Sequence, residues 1–162
     1  MGKEFRRRIP KRRMETRTIK DSIECSGAFI FARSTRRFLF LQKRHGKHSD
    51  NWVLVGGTNN QGETIFQGLQ REIEEELGHV PDILKTIPLE KFVSNDSLFN
   101  FHTFFCLVEN EFIPILSDEH QAWGWFQLDS PPKPLHKALD LSLRNKIIQT
   151  KIQSIIDISD SL

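Results

Sequence analysis

The segment that runs from residue 64 to residue 77 restricts the fold most, because a helix is the one regular structure that gathers its apolar side chains on a single face. At about 100° per residue that face contains Ile65, Phe66, Leu69, Ile73 and Leu77. Thr64 and Gln67 have the spacing of a capping box, while Gly78 and Pro81 are typical of a helix end. The sequence therefore predicts an amphipathic helix over 64–77 that packs on a core.

The last two turns of this helix are strongly acidic, since residues 71–76 read Arg-Glu-Ile-Glu-Glu-Glu. Carboxylates there repel one another and the negative end of the helix dipole, at roughly 0.2–0.5 kcal/mol for each like-charged pair. Glu72, Glu75 and Glu76 fall within an arc of about 100°, whereas Glu74 points away. A hard cation such as Mg²⁺ or Mn²⁺ would relieve the repulsion. For this run alone, the alternative is a solvated acidic face balanced by Arg71.

The residues before the acidic run complete a longer pattern. Gly57 is followed after five residues by Glu63, and after seven more by Arg71-Glu72-Ile73-Glu74-Glu75-Glu76-Leu77-Gly78. This resembles the Nudix box, G-x5-E-x7-R-E-U-x-E-E-x-G-U with U apolar, and every fixed position is filled. His79 departs from the final apolar position, and Val55 stands where many members have Pro. The resemblance to the Nudix (MutT-like) hydrolases extends over about residues 22–130.

The remaining segments predict a sheet flanked by helices. Strands are expected at 23–32, 38–41, 52–55, 84–93, 99–108 and 122–128, and a proline-rich stretch precedes a second helix at about 135–157. This order predicts an α/β or α+β fold around a mixed sheet, and the resemblance implies a Nudix-type α/β/α sandwich. Residues 21–162 are expected to form one domain, and residues 1–20 a flexible basic tail.

The resemblance also implies the chemistry, which is a metal-assisted attack of water on a pyrophosphate phosphorus. It implies that Glu72, Glu75, Glu76 and Glu63 hold one to three Mg²⁺ ions, with Mn²⁺ as a substitute. Either Glu75 or Glu76 is expected to act as ligand and base. Arg71 is expected to orient Glu63 or Glu72 through a charge-assisted hydrogen bond.

Residues outside this acidic run extend the candidate site. Glu119 is a second candidate base, since several branches of the family have a Glu outside the box; as an isolated residue it would be a surface acid. Gly56 and Gly57 are expected to allow a backbone turn that leaves space for metal and phosphate. Arg44 is a candidate for contact with substrate phosphates. Trp123 is a candidate for stacking on a nucleobase, although strand aromatics more often belong to the core.

Other residues are weaker candidates for the site. Lys43 precedes Arg44 at the end of the same strand, and Phe99 is a second aromatic candidate for stacking. The histidines at 45, 48, 102 and 120 lack the spacing of metal ligands. They are expected in loops or on the surface, and among them His120 lies near the candidate site.

Charge is distributed unevenly along the chain. Residues 1–20 carry a net charge of +7, whereas the whole chain carries +2. The basic segment is either a solvated terminus or an RNA contact. No apolar run approaches the roughly 20 residues of a membrane-spanning helix. Cys25 and Cys106 are far apart, and they are expected to be buried and reduced. A soluble, cytoplasmic protein is therefore predicted.

Three functions fit this sequence. The first is a Mg²⁺-dependent pyrophosphohydrolase that cleaves the diphosphate linkage of a nucleoside diphosphate derivative, either a nucleoside triphosphate or a nucleotide sugar. The second is a Nudix-fold module that binds a nucleotide or RNA without hydrolysis, which the complete box argues against. The third is a pyrophosphohydrolase of RNA 5′ ends. The box acts on the shared pyrophosphate, so it determines neither the substrate nor the oligomeric state.

Overall fold

A computed structural model describes residues 22–162, which form one sheet of seven strands, three α-helices and a short 3-10 helix at Ser159–Ser161. The strands are β1 Ile23–Ala32, β2 Arg37–Lys43, β3 Trp52–Val53, β4 Val55–Thr58, β5 Lys85–Val93, β6 Phe99–Val108 and β7 His120–Phe126. The helices are α1 Ile65–Leu77, α2 Lys137–Arg144 and α3 Lys146–Ile158. The predicted basic tail lies outside the described residues.

Strand β1 is the centre of the sheet. The order is β3-β2-β1-β6-β5, with β4 also paired to β1 and β7 to β2. β1 and β6 are parallel, and the other pairings are antiparallel, so the sheet is mixed as predicted. One edge of β1 is divided, because residues 25–28 pair with β4 while residues 31–32 pair with β2.

The alternation of side chains along β1 builds a core on each face of the sheet. Phe29 and Phe31 point to the face covered by α2 and α3, where the buried helical residues are Leu139, Ile148 and Ile152. Ala28 and Ile30 point to the opposite face, where α1 buries Leu69, Ile73 and Leu77. Helices on both faces of a mixed sheet make the α/β/α sandwich that the sequence predicted.

Helix α1 matches its prediction closely. Thr64 is its N-cap: the Gln67 backbone N–H donates to Thr64 Oγ1 at 3.1 Å, and the Thr64 N–H donates to Gln67 Oε1 at 3.0 Å. Gly78 ends the helix in the left-handed conformation at φ 74°, which glycine adopts without a steric penalty. Cys25 and Cys106 are buried and unbridged, as expected.

The prediction of a single C-terminal helix over 135–157 is wrong. The chain forms two helices, α2 and α3, which meet at Asn145. Asn145 has an extended backbone at ψ 117°, and its side chain accepts a hydrogen bond from the Ile147 N–H at 2.9 Å. Asparagine is favoured at this capping position, so it ends one helix and starts the next. Apolar periodicity alone missed the break.

The strand predicted over 52–55 is also divided. β3 pairs with β2 and β4 pairs with β1, so Leu54 lies between two short strands. Gly56 and Gly57 lie inside β4 instead of in a turn that follows it. Within residues 22–162, no helix has the length and apolar character needed to cross a membrane.

Candidate active site

A cleft of about 850 Å³ opens beside the divided edge of β1. One side is an acidic wall, formed by Glu72, Glu75, Glu76 and Glu119. The other side is an aromatic wall, formed by Phe92, Phe99 and Phe101. Because α1 packs on β4 while β5 and β6 lie beyond β1, the two walls lie on opposite sides of the central strand.

Two glycines bring the backbone of β4 against the carboxylates of α1. A Cβ on Gly57 would lie 2.7 Å from the carboxyl carbon of Glu72, so the absence of a side chain makes room for that acid. The Gly56 N–H donates to Glu76 Oε2 at 3.2 Å. A Cβ on Gly56, whose φ is 154°, would lie 2.0 Å from the Ser26 carbonyl oxygen. Both positions thus require glycine for close approach.

Arg71 ties the acidic helix to the loop before it. Its Nε donates to both carboxylate oxygens of Glu63 at 3.0 Å, and its Nη1 donates to Glu72 at 3.0 Å and Glu75 at 3.1 Å. Its Nη2 donates to the Thr58 carbonyl at 3.0 Å. Arg71 therefore contacts both carboxylates, Glu63 and Glu72, that the sequence expected it to orient.

Glu63 lies behind Arg71 and does not line the cleft. Its carboxylate also accepts the Asn60 N–H at 2.7 Å, and the hydrogen bond from Arg71 lowers the pKa of Glu63. The structure therefore does not bring Glu63 together with the acidic wall, where a metal ligand was expected. Its contacts make it a support for Arg71.

The acidic wall contains carboxylates that are withdrawn from water. Glu76 is only 3% exposed. Burial raises the pKa of Glu76 well above its usual range, and the N–H of Gly56 offsets this only in part. Burial also raises the pKa of Glu72, against the effect of Arg71, while Glu75 and Glu119 add to the rise. Ionising such neighbours together requires a compensating positive charge. A divalent cation would supply that charge, and carboxylate oxygens are suitable ligands for it.

Glu119 and His120 reach the cleft from the start of β7. Glu119 is exposed and lines the cleft, as a second base would. The expectation of a loop or surface position for His120 is wrong, because His120 is 3% exposed and lines the same cleft. One ligand atom from each of Glu76, Glu119 and His120 lies within 4.8 Å of the others. In the sequence, the adjacency of His120 to Glu119 is the signal that marks it.

Lys43, and not Arg44, faces the cleft. The Arg44 side chain is directed to Asp118, with 4.0 Å between Nη1 and the carboxylate. Successive residues along a strand point to opposite faces of the sheet, so only one of these two adjacent cations can face a substrate in the cleft. The substrate contact expected of Arg44 is therefore not placed in the cleft.

Trp123 is partly buried against the core and does not line the cleft. It lies opposite Leu41 and packs against the apolar cluster beneath α1, which corrects its predicted role in stacking. Phe99, the other aromatic candidate, lines the cleft. Its ring is stacked on Phe101 with centroids 6.5 Å apart and planes 25° from parallel.

Comparison with known proteins identifies similar chains. A family model described as NUDIX domain matches residues 24–145, a range that contains every residue lining the cleft. Dihydroneopterin triphosphate diphosphatase of Escherichia coli K12 is 31% identical over 116 residues, 63% of this chain and 75% of that protein. Nudix hydrolase 7 of Arabidopsis thaliana is 36% identical over 64 residues, 38% of this chain, and the chain spans only 23% of that protein.

Solved structures share the fold. The crystal structure of a MutT NUDIX hydrolase from Burkholderia pseudomallei superposes with a TM-score of 0.59 and 26% sequence identity. The superposition covers 76% of this chain and 96% of that one.

Proposed function

The chain belongs to the NUDIX domain family, and from this premise we propose that it hydrolyses pyrophosphate bonds in nucleoside diphosphate derivatives in a Mg²⁺-dependent reaction. The observation that carries the proposal is the position of the buried Glu76 in an acidic wall that faces an aromatic wall across one cleft. The acidic wall provides groups for a metal and water, and the aromatic wall provides a surface for an organic ring.

The acidic wall is the part that would hold the cation. Glu72, Glu75, Glu76 and Glu119 present oxygen donors, which Mg²⁺ prefers and Mn²⁺ accepts. When bound, such an ion neutralises phosphate charge and lowers the pKa of a coordinated water.

Other side chains supply the base, the positioning contacts and the positive charge that the reaction needs. Glu119 is exposed and unencumbered by Arg71, which suits a group that accepts a proton from water. Glu75 and Glu76 are the other candidate bases. Arg71 fixes Glu72 and Glu75 by hydrogen bonds and acts as a positioning residue. Lys43 adds a positive charge to the cleft, where phosphate oxygens would enter.

The aromatic wall supports a substrate that contains a planar ring. Phe99 and Phe101 are stacked, and Phe92 is 52% exposed beside them. Leu141 of α2 also lines the cleft, is 61% exposed and offers a second apolar surface. A nucleobase in contact with these side chains would bury apolar area. The E. coli relative is named for a triphosphate substrate, so triphosphates come first among the candidates.

A substrate panel tests the reaction class and the substrate together. The purified chain is incubated with nucleoside triphosphates, dihydroneopterin triphosphate, nucleotide sugars and dinucleotides, in Mg²⁺ or in EDTA, and the products are separated by chromatography. We expect cleavage of one class to a monophosphate in Mg²⁺ and none in EDTA. A folded protein that binds Mg²⁺ but cleaves no substrate would instead support the module that binds nucleotides without hydrolysis.

The basic segment supports a second candidate, which is action on RNA 5′ ends. Residues 1–20 carry a net charge of +7 and would attract the RNA backbone through counterion release. Deletion of residues 2–20 should weaken RNA binding and reduce its salt dependence, while hydrolysis of small nucleotides stays unchanged. Equal RNA binding with and without the segment would reject this candidate.

A further inference from the structure

His120 is a buried polar residue whose ring nitrogen Nδ1 is unpaired in the described part of the fold. Its side chain is 3% exposed, and Nδ1 has no hydrogen-bond partner among residues 22–162. A buried polar atom left unpaired costs about 1–3 kcal/mol. His120 also lines the cleft, so this unpaired nitrogen is available to a ligand bound there. Imidazole nitrogens are the commonest metal ligands in proteins.

A bulge in β7 turns His120 toward α1. Gln42 lies opposite Ala122 and Lys43 lies opposite His120, so Gln121 is an extra residue in the strand. Residues opposite each other point to the same face of a sheet. The bulge therefore moves His120 off the face of Ala122 and onto the face that α1 covers, where Glu76 lies.

The resulting cluster has the dimensions of a single ion site. One ligand atom from each of Glu76, Glu119 and His120 lies within 4.8 Å of the other two. A divalent ion lies about 2.0–2.6 Å from each ligand, so ligands on opposite sides of it are about 4–5 Å apart.

We propose that His120 is a nitrogen ligand to a divalent cation held with Glu76 and Glu119, and that this site binds Mn²⁺ or Co²⁺ more tightly than Mg²⁺. Divalent transition ions accept an imidazole ligand, Co²⁺ more strongly than Mn²⁺, whereas Mg²⁺ strongly prefers oxygen. The proposal rests on the proposed function, because Glu76 and Glu119 also belong to the acidic wall that would hold the catalytic cation. It extends that function by adding a nitrogen ligand beside the carboxylates of the wall.

Pulsed electron paramagnetic resonance of the full chain with substoichiometric Mn²⁺ tests the nitrogen ligand directly. We expect a coupling between the electron spin of Mn²⁺ and one imidazole nitrogen. Labelling histidine selectively with ¹⁵N should change this coupling, which identifies its source without any substitution. No nitrogen coupling in the unaltered protein, or a coupling that the label does not change, would overturn the proposal.

A matched pair of variants identifies the residue. His120→Asn should remove the coupling, whereas His136→Asn should keep it, because His136 lines the same cleft but lies outside the cluster. Asparagine also retains an acceptor for the Ala138 N–H that His136 now caps. A coupling that survives His120→Asn, or one that disappears in His136→Asn, would contradict the assignment.

Calorimetric titration tests the preference among ions. The unaltered chain should bind Mn²⁺ about 10-fold or more tightly than Mg²⁺, and His120→Asn should reduce that ratio by roughly 10-fold. An equal loss of affinity for both ions would count against an imidazole ligand. These measurements need no substrate, so a negative hydrolysis panel leaves their outcome interpretable.

Discussion

The acidic and aromatic walls of the cleft are assembled in different ways. Three of the four acidic residues lie within two turns of α1, where the helical period places them together. The aromatic wall depends on the antiparallel pairing of β5 with β6, which sets Phe92 opposite Phe101. The three acids of α1 are held by hydrogen bonds from Arg71 and Gly56, whereas the rings are held by register and packing.

This difference separates chemistry from recognition. Charged groups that act on a phosphate must be fixed, because small displacements of reacting atoms lower the rate steeply. A ring-binding surface tolerates variation, because stacking depends on area and has little directional demand. Substitutions in the acidic wall should therefore change kcat, and substitutions in the aromatic wall should change KM.

The largest effect is expected for Glu76→Gln. Loss of this carboxylate removes a metal oxygen and a candidate base, so kcat should fall by about 10²–10⁴-fold. The fold should persist, because the Gly56 N–H retains an oxygen acceptor in glutamine. Glu74→Gln is the matched control, since Glu74 lies on the same helix, is exposed and does not line the cleft. Steady-state kinetics with circular dichroism would check both, and full turnover by Glu76→Gln would refute the assigned site.

The second effect concerns the support behind the acidic wall. Arg71→Lys keeps the charge but cannot reproduce the hydrogen bonds to Glu63, Glu72, Glu75 and the Thr58 carbonyl. Activity should fall by about 10–100-fold, and the free energy of unfolding by about 1–3 kcal/mol. Kinetics and urea denaturation would measure the two losses. A variant that is destabilised but retains full kcat would show that Arg71 supports the fold alone.

The contrast between the walls also explains how far the sequence could be interpreted. The capping box, the end of α1 at Gly78 and the convergence of Glu72 with Glu76 follow from local spacing, and the structure contains all of them. Sandwich architecture followed from the order of elements and from the family resemblance.

Other features depend on pairing between distant segments and escaped the sequence. A one-residue change in register moves a strand side chain to the other face. The bulge at Gln121 therefore decides where His120 points, and a single step along β2 decides between Lys43 and Arg44. The break at Asn145 was missed for another reason, because a capping residue interrupted an otherwise continuous apolar pattern.

A third prediction tests the aromatic wall. Phe99→Ala should raise KM for substrates with a nucleobase by about 10-fold, because base–aromatic stacking contributes about 1–3 kcal/mol, while kcat stays close to that of the unaltered chain. Phe66→Ala is the control, since Phe66 is 47% exposed on α1 and does not line the cleft. A fall in kcat without a change in KM would remove the proposed division between the walls.

The smallest effect is expected for Lys43, the cation that would contact the substrate phosphates in the cleft. Lys43→Gln should raise KM by a few-fold, because a partly solvated charge contributes only about 0.2–1 kcal/mol to an ion pair. Raising the ionic strength should reduce the difference from the unaltered chain, since salt screens such charges. Arg44→Gln is a closely matched control, being the adjacent cation directed to Asp118. A larger effect from Arg44→Gln than from Lys43→Gln would show that the substrate approaches along the outer side of β2. The chain would then bind phosphates outside the cleft that its two walls define.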